Sequence, residues 1–216
     1  MSLSGVAFLG RTLHTRCRIA SCLSTLIAST LIRSAVGHSP FELLDRRVPL
    51  LGVCLGARLL AAAAGAPARR AQTPEIGWYP VELTSKASHD PVLGPLAPRF
   101  DALEWHSYEL RLPPEGTPLA HSTDRLQANR IGDVAWGIQS HAEVTLQDFE
   151  SWLDHHGRLG DLADVTAEEL RALTQARIAG WNDLGRGLCR RFIGRAATQR
   201  RAPPRLSPGS SRNRRQ

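Results

Sequence analysis

The stretch that decides the fold is VPLLGVCLGARLLAAAAGA, residues 48–66. Val48 to Val53 form a short, almost wholly apolar run, the pattern of a strand buried on both faces in a parallel sheet. Strong helix formers follow at once from Leu55, and Gly65 with Pro67 stops them. Strand, tight turn and helix place Cys54 at the turn. Gly52-Val-Cys54-Leu-Gly56 therefore has the form of a nucleophile elbow, with cysteine where many hydrolases carry serine.

The chemistry of such a turn is specific. Flanking glycines remove side chains that would clash as the nucleophile is pushed out of the sheet. The helix N-terminus points at the sulfur and favours thiolate over thiol. The Leu55 N–H, first after the nucleophile, is placed to stabilise an oxyanion. A buried cysteine can also serve as a small hydrophobe, so the elbow needs a base to be read as a site.

That base stands downstream, in Gln139-Ser-His141-Ala-Glu143. VAWGIQSH, residues 134–141, reads as a short strand ending at the histidine. If the chain stays extended, positions 141 and 143 project from one side. His141 can then take the thiol proton while Glu143 holds the imidazole tautomer.

Between the two motifs, GWYPVELT and ALEWHSYELRL read as strands separated by the Pro/Gly loop HDPVLGPLAPRF. Thr145 to Trp152 begins a helix. Thr166-Ala-Glu-Glu169 is a capping box, and Leu170, Leu173, Trp181, Leu184, Leu188 and Phe192 recur at helical spacing. This predicts one amphipathic helix over about 167–194, bent or interrupted near Gly180–Gly187. The Arg-, Pro- and Ser-rich residues 196–216 are expected to be disordered.

Charge is segregated along the chain. Residues 1–41 carry four arginines and no acid, and residues 184–216 carry ten arginines and no acid. The body between them holds 13 basic and 20 acidic residues, a balance of −7 inside a chain of formal charge +7. A nucleic-acid-binding fold needs a basic face on the folded part, and these counts oppose one; no specific nucleic-acid partner is expected. The four cysteines, Cys17, Cys22, Cys54 and Cys189, lack paired zinc spacing. Free thiols in a reducing cytosol follow, and no apolar run reaches the roughly 18 residues of a membrane span.

VPLLGVCLGARLLA followed by WGIQSHAEVT resembles the class I, triad-type glutamine amidotransferases, with their G-x-C-x-G elbow and later H-x-E. EIGWYPVELT, ALEWHSYEL and WNDLGRGLCRRF resemble the stand-alone, GMP-synthase-like members, many of them actinobacterial. The resemblance spans about residues 48–193. It implies an α/β, three-layer, doubly wound (flavodoxin-like) sheet. It also implies a bacterial, cytoplasmic enzyme whose Cys54 attacks the side-chain amide of glutamine. His141 would then shuttle the proton to departing ammonia, and Glu143 would orient His141. Gly52, Leu55 and Gly56 would form the elbow and oxyanion donor. Arg58, His106 and Ser140 would stand at the substrate. No metal or organic cofactor is required for this half-reaction, and a synthetase partner would receive the ammonia.

Some positions depart from the pattern of that family. Arg58 stands where many members have glutamine, Ser140 where they have phenylalanine, and Ala142 where they have proline. Members also place two strands and a Gly-Gly loop ahead of the nucleophile. Here 53 residues precede Cys54 and no Gly-Gly occurs.

The expected organisation is a divergent or misread segment 1–41, an amidotransferase-like domain 42–194 and a disordered basic tail 195–216, with the sheet incomplete on its N-terminal side. The composition of 1–41 also suits an organellar transit segment, and its short apolar stretch a secretory signal. Three functions stay open: glutamine hydrolysis, a non-catalytic amidotransferase-like protein, and hydrolysis of a γ-glutamyl amide or peptide.

Overall fold

The structure is a computed structural model that describes residues 7–9, 38–123, 125–159 and 166–201. Most of the segment 1–41, with Cys17 and Cys22, and the tail 202–216 lie outside the described residues.

Apolar alternation inside VPLLGVC builds the centre of the sheet. Strand β2 (Leu50–Val53) sends Leu50 into one cluster with Leu43, Leu60 and Ala135, and Leu51 into another with Trp136 and Val81. Both faces of the strand are thus covered, as an all-apolar run demands. It pairs in parallel with β7 (Ala135–Ile138) on one side and with the short β1 (Ala7–Leu9) on the other. Residues 7–9, inside the segment read as divergent, therefore add a strand to the sheet.

Beyond β7 the sheet turns antiparallel. β3 (Arg69–Leu83), β4 (Arg99–Glu109), β5 (Gly116–Ser122) and β6 (Arg125–Ile131) complete the order β1-β2-β7-β6-β5-β3-β4. The fold is mixed α/β, with the parallel part limited to three strands. β3 begins earlier than the sequence suggests. Its ladder with β4 is irregular between Arg70 and Glu75, where Pro74 lacks an N–H to donate.

Helix α1 (Pro40–Asp45) starts at a capping box made by Ser39 and Glu42. Helix α2 (Leu55–Ala63) lies close on β2 and β7, and two glycines make room for it. A Cβ at Gly52 would sit 2.6 Å from the Gly56 carbonyl carbon, and one at Gly137 would sit 3.2 Å from Ala57 Cβ. These contacts fix the N-terminus of α2 directly over the end of β2.

Helix α3 (Leu146–Leu159) follows β7, and α4 (Ala167–Arg201) follows the expected Thr166–Glu169 box. The Glu169 N–H donates to Thr166 Oγ1 at 3.2 Å, and the Thr166 N–H donates to Glu169 Oε2 at 3.0 Å. The interruption expected near Gly180–Gly187 is absent, and the helix runs beyond the expected end at 194, taking in residues 196–201. Packing overrides the helix cost of glycine here. Leu170, Ile178, Trp181, Leu188 and Phe192 are buried against the sheet, and a Cβ at Gly185 would stand 2.5 Å from the Ala142 carbonyl oxygen. Trp136 is core, as its apolar setting in β7 suggests. No helix among the described residues is long and apolar enough to cross a membrane.

Candidate active site

Cys54 sits between β2 and α2 with φ +49° and ψ −104°, a backbone conformation that side-chain-bearing residues rarely adopt. Its N–H donates to Ile138 O at 2.7 Å, and its carbonyl accepts from the Arg58 N–H at 3.1 Å. The turn is therefore held on both sides. The Leu55 N–H, in the first turn of α2, has no partner inside the helix and points from its positive end.

His141 and Glu143 lie just past β7. The chain does not stay extended there, contrary to the expectation from sequence. It turns at Ala142–Glu143, and the turn brings His141 Nδ1 to 2.8 Å from Glu143 Oε1. The pair forms, by a different backbone route. The His141 N–H donates to Leu103 O at 2.9 Å, tying the loop to β4. From the far side, α4 grips the same loop. Trp181 Nε1 donates to His141 O at 2.8 Å, and Asn182 Nδ2 donates to Ala142 O at 3.3 Å and Val144 O at 3.0 Å. The imidazole also packs edge-on against Trp152, with centroids 4.9 Å apart.

Electrostatics favour charge separation at the sulfur. Burial pushes the Cys54 thiol up, but the His141 imidazole, as nearby charge and hydrogen-bond partner, outweighs it with help from Arg58 and His106. The thiol is held below its ordinary value. Burial pushes His141 down, and the Cys54 and Glu143 charges raise it well above the ordinary histidine range. The two shifts run in opposite directions, each favouring the charged form of its group. Gln139 Nε2 stands 3.5 Å from the sulfur as a further donor.

The other residues singled out in the sequence fall at different distances from this centre. The guanidinium of Arg58 is 3.8 Å from the sulfur and lies over the ring of Tyr108. Ser140 is buried and lines a small apolar cavity with Phe100, Trp181 and Leu184. His106 is enclosed, not displayed at a surface, and contacts Glu75 and Glu104.

Sequence reasoning missed Gln139, Trp152, Glu75 and Glu104. The alternation of Glu104 and His106 along β4 was a usable signal, because it puts both on one face. Among the described residues, no group of three or more histidines, cysteines and carboxylates is arranged to hold a metal ion.

Comparison with known proteins agrees with this geometry. The profile of the family "Glutamine amidotransferase class-I" matches residues 40–156. The glutamine amidotransferase-like protein YfeJ of Salmonella typhimurium is 28% identical over 147 residues, covering 67% of this chain and 60% of that one. The glutamine-hydrolyzing GMP synthase subunit of Sulfolobus acidocaldarius is 34% identical over 112 residues, covering 50% and 58%. The chain thus spans about three fifths of the length of these curated relatives. A glutamine amidotransferase structure from Thermotoga maritima superposes with a TM-score of 0.64 at 27% identity, covering 71% of this chain and 66% of that one. From the elbow, the mixed sheet and these matches together, the chain belongs to the class I glutamine amidotransferase family.

Proposed function

We propose that the protein hydrolyses the side-chain amide of glutamine through a cysteine thioester and releases ammonia. One observation carries the reading: His141, braced at 2.8 Å by Glu143, lies against the sulfur of a cysteine held at a strained elbow. The Cys54 thiolate attacks the amide carbon, and the oxygen takes the negative charge beside the Leu55 N–H. His141 gives its proton to the leaving nitrogen, and ammonia departs. His141 then accepts a proton from water as the water attacks the thioester. Glutamate leaves and the thiolate returns.

Glu143 keeps the imidazole in one orientation through both proton transfers. Relatives named as GMP synthase subunits support a synthetase as the receiver of the ammonia. The test is the intact mass of the protein after brief exposure to a glutamine-analogue alkylator. We expect a single adduct that is lost in Cys54→Ala, together with glutaminase activity that the same substitution abolishes. No adduct on folded protein refutes the reading and favours a non-catalytic relative, whereas activity that survives Cys54→Ala refutes Cys54 as the nucleophile.

Arg58 favours a second reading, in which the substrate is a γ-glutamyl amide or peptide. A guanidinium 3.8 Å from the sulfur is placed to meet an additional carboxylate. Turnover of glutamine with rejection of every γ-glutamyl conjugate removes that reading.

A further inference from the structure

Next to Leu103, whose carbonyl accepts from the His141 N–H, β3 and β4 carry a set of buried ionisable side chains that the hydrolysis described above does not use. β3 and β4 pair Glu75 opposite His106. Nε2 of His106 is 3.1 Å from Glu75 Oε2 and 3.1 Å from Glu104 Oε2, and the three side chains are only 1%, 9% and 0% exposed respectively for His106, Glu75 and Glu104. The two carboxylates share one nitrogen, and neither Glu104 oxygen makes a hydrogen bond of good geometry with it.

Glu75 is fixed by further partners. Ser122 Oγ donates to its Oε1 at 2.8 Å, Gln127 Nε2 donates to its Oε2 at 2.8 Å, and Arg125 Nη1 stands 3.7 Å away. Neither oxygen of Glu104 accepts a hydrogen bond among the described residues, and His106 is its near counter-charge. A neutral structural histidine is satisfied by one acceptor. Two enclosed carboxylates on one nitrogen call for a cation.

The field of this cluster reaches the elbow. Burial pushes His106 down, but Glu104 and Glu75 raise it to about 9, and the Cys54 charge adds to the rise. Reciprocally, His106 helps to hold Cys54 ionised. Burial pushes Glu104 up against the opposing pull of His106, and Glu104 also feels His141. The charged or titratable groups around the cluster are Glu75 and Tyr79 on β3, Glu104 on β4, Arg125 on β6 and Arg58 on α2. Cys54 stands at the elbow, with His141 and Glu143 after β7.

We propose that His106, clamped between Glu75 and Glu104, is a positioning residue whose fixed positive charge holds the Cys54 sulfur as thiolate, with Glu104 limiting that charge. The role rests on the assignment of Cys54 as nucleophile, and it acts through the sulfur without touching substrate. It also requires opposite effects from two near-isosteric changes. His106→Gln removes a cation whose charge acts on the sulfur. Glu104→Gln removes an anion and leaves His106 charged against Glu75.

The test is the rate of iodoacetamide modification of Cys54 in the full chain, followed on its own peptide by mass spectrometry from acid to alkaline pH. We expect the half-reactive pH to rise by roughly half to one unit in His106→Gln and to fall by a similar amount in Glu104→Gln. Shifts of one sign in both variants, as general damage to the fold produces, or no shift in either, overturn the proposal. Should His106→Gln fail to fold, Glu104→Gln decides alone: a fall supports the proposal, and a rise or no change overturns it.

Wild-type Cys54 reacting no faster than an ordinary exposed thiol, or a profile untouched by His141→Gln, overturns the nucleophile assignment and this proposal with it. A profile that responds to His141→Gln but to neither of the other changes overturns this proposal alone.

Discussion

Replacing Cys54 by glycine should give a more stable protein than replacing it by alanine, the reverse of the usual order. Both substitutions delete the sulfur and its charge interactions with His141, so electrostatics cancel in the comparison. What differs is the backbone at φ +49° and ψ −104°. Holding a residue with a Cβ in such a sparsely populated region costs on the order of 1–3 kcal/mol. Glycine is free of that cost but gives up about 0.5–1 kcal/mol of chain entropy relative to alanine.

The difference leaves glycine ahead by about 1 kcal/mol. With a urea dependence of about 2 kcal/mol/M, this moves the unfolding midpoint by about 0.5 M. Equilibrium urea unfolding, read by fluorescence of the five tryptophans, measures it directly. An alanine variant more stable than the glycine variant would mean that the elbow is relaxed, and that the fold does not strain Cys54 into place.

Glu143→Gln keeps the shape of the side chain but removes the charge that braces His141; glutaminase turnover should fall on the order of 10²-fold with little change in KM, in steady-state glutamate release. Gly185→Ala should destabilise the fold by about 1–3 kcal/mol and lower turnover, since its methyl meets the Ala142 carbonyl. Gly180→Ala, where a Cβ meets nothing within 4 Å, should stabilise by about 0.5–1 kcal/mol in the same unfolding assay. Stability should also fall as pH rises from neutrality through about 9, more steeply in wild type than in His106→Gln. The folded state keeps the His106 proton up to about 9, whereas the unfolded chain releases it near the ordinary histidine value. The native state therefore binds the extra proton across that window and loses stability as pH climbs. Equal slopes in the two proteins would count against a charged His106.

The parts of the molecule readable from the sequence are those whose causes are local. An apolar run, two glycines around a cysteine and a train of alanines define β2, the elbow and α2 within a single stretch. The Thr166–Glu169 box marks a helix start in four residues. His141 and Glu143 were recognisable as a pair because they are two positions apart, although the backbone between them turns instead of extending.

The features that escaped depend on partners far along the chain. Glu75 becomes a neighbour of His106 only through the β3–β4 register, and the enclosure of Glu104 and His106 depends on packing from distant parts of the chain, although their alternation along β4 was legible. The unbroken course of α4 depends on the Ala142 loop lying against Gly185, a contact that overrides helix propensity. The pairing of Ala7–Leu9 with β2 is likewise a long-range contact within a stretch whose composition suggested other origins.

The grip of α4 on the His141 loop has a consequence for how the protein is made. Translation delivers the elbow first, then the histidine, and some forty residues later Trp181 and Asn182, whose side chains donate to the carbonyls of His141, Ala142 and Val144. A nascent chain that has emerged only as far as residue 156, where the family match ends, already contains every residue of the proposed triad. It lacks the hydrogen-bond donors that α4 supplies to that loop. Since folding during synthesis proceeds from the N-terminal side, the loop that carries His141 and Glu143 gains these three hydrogen bonds only after Trp181 and Asn182 have been made.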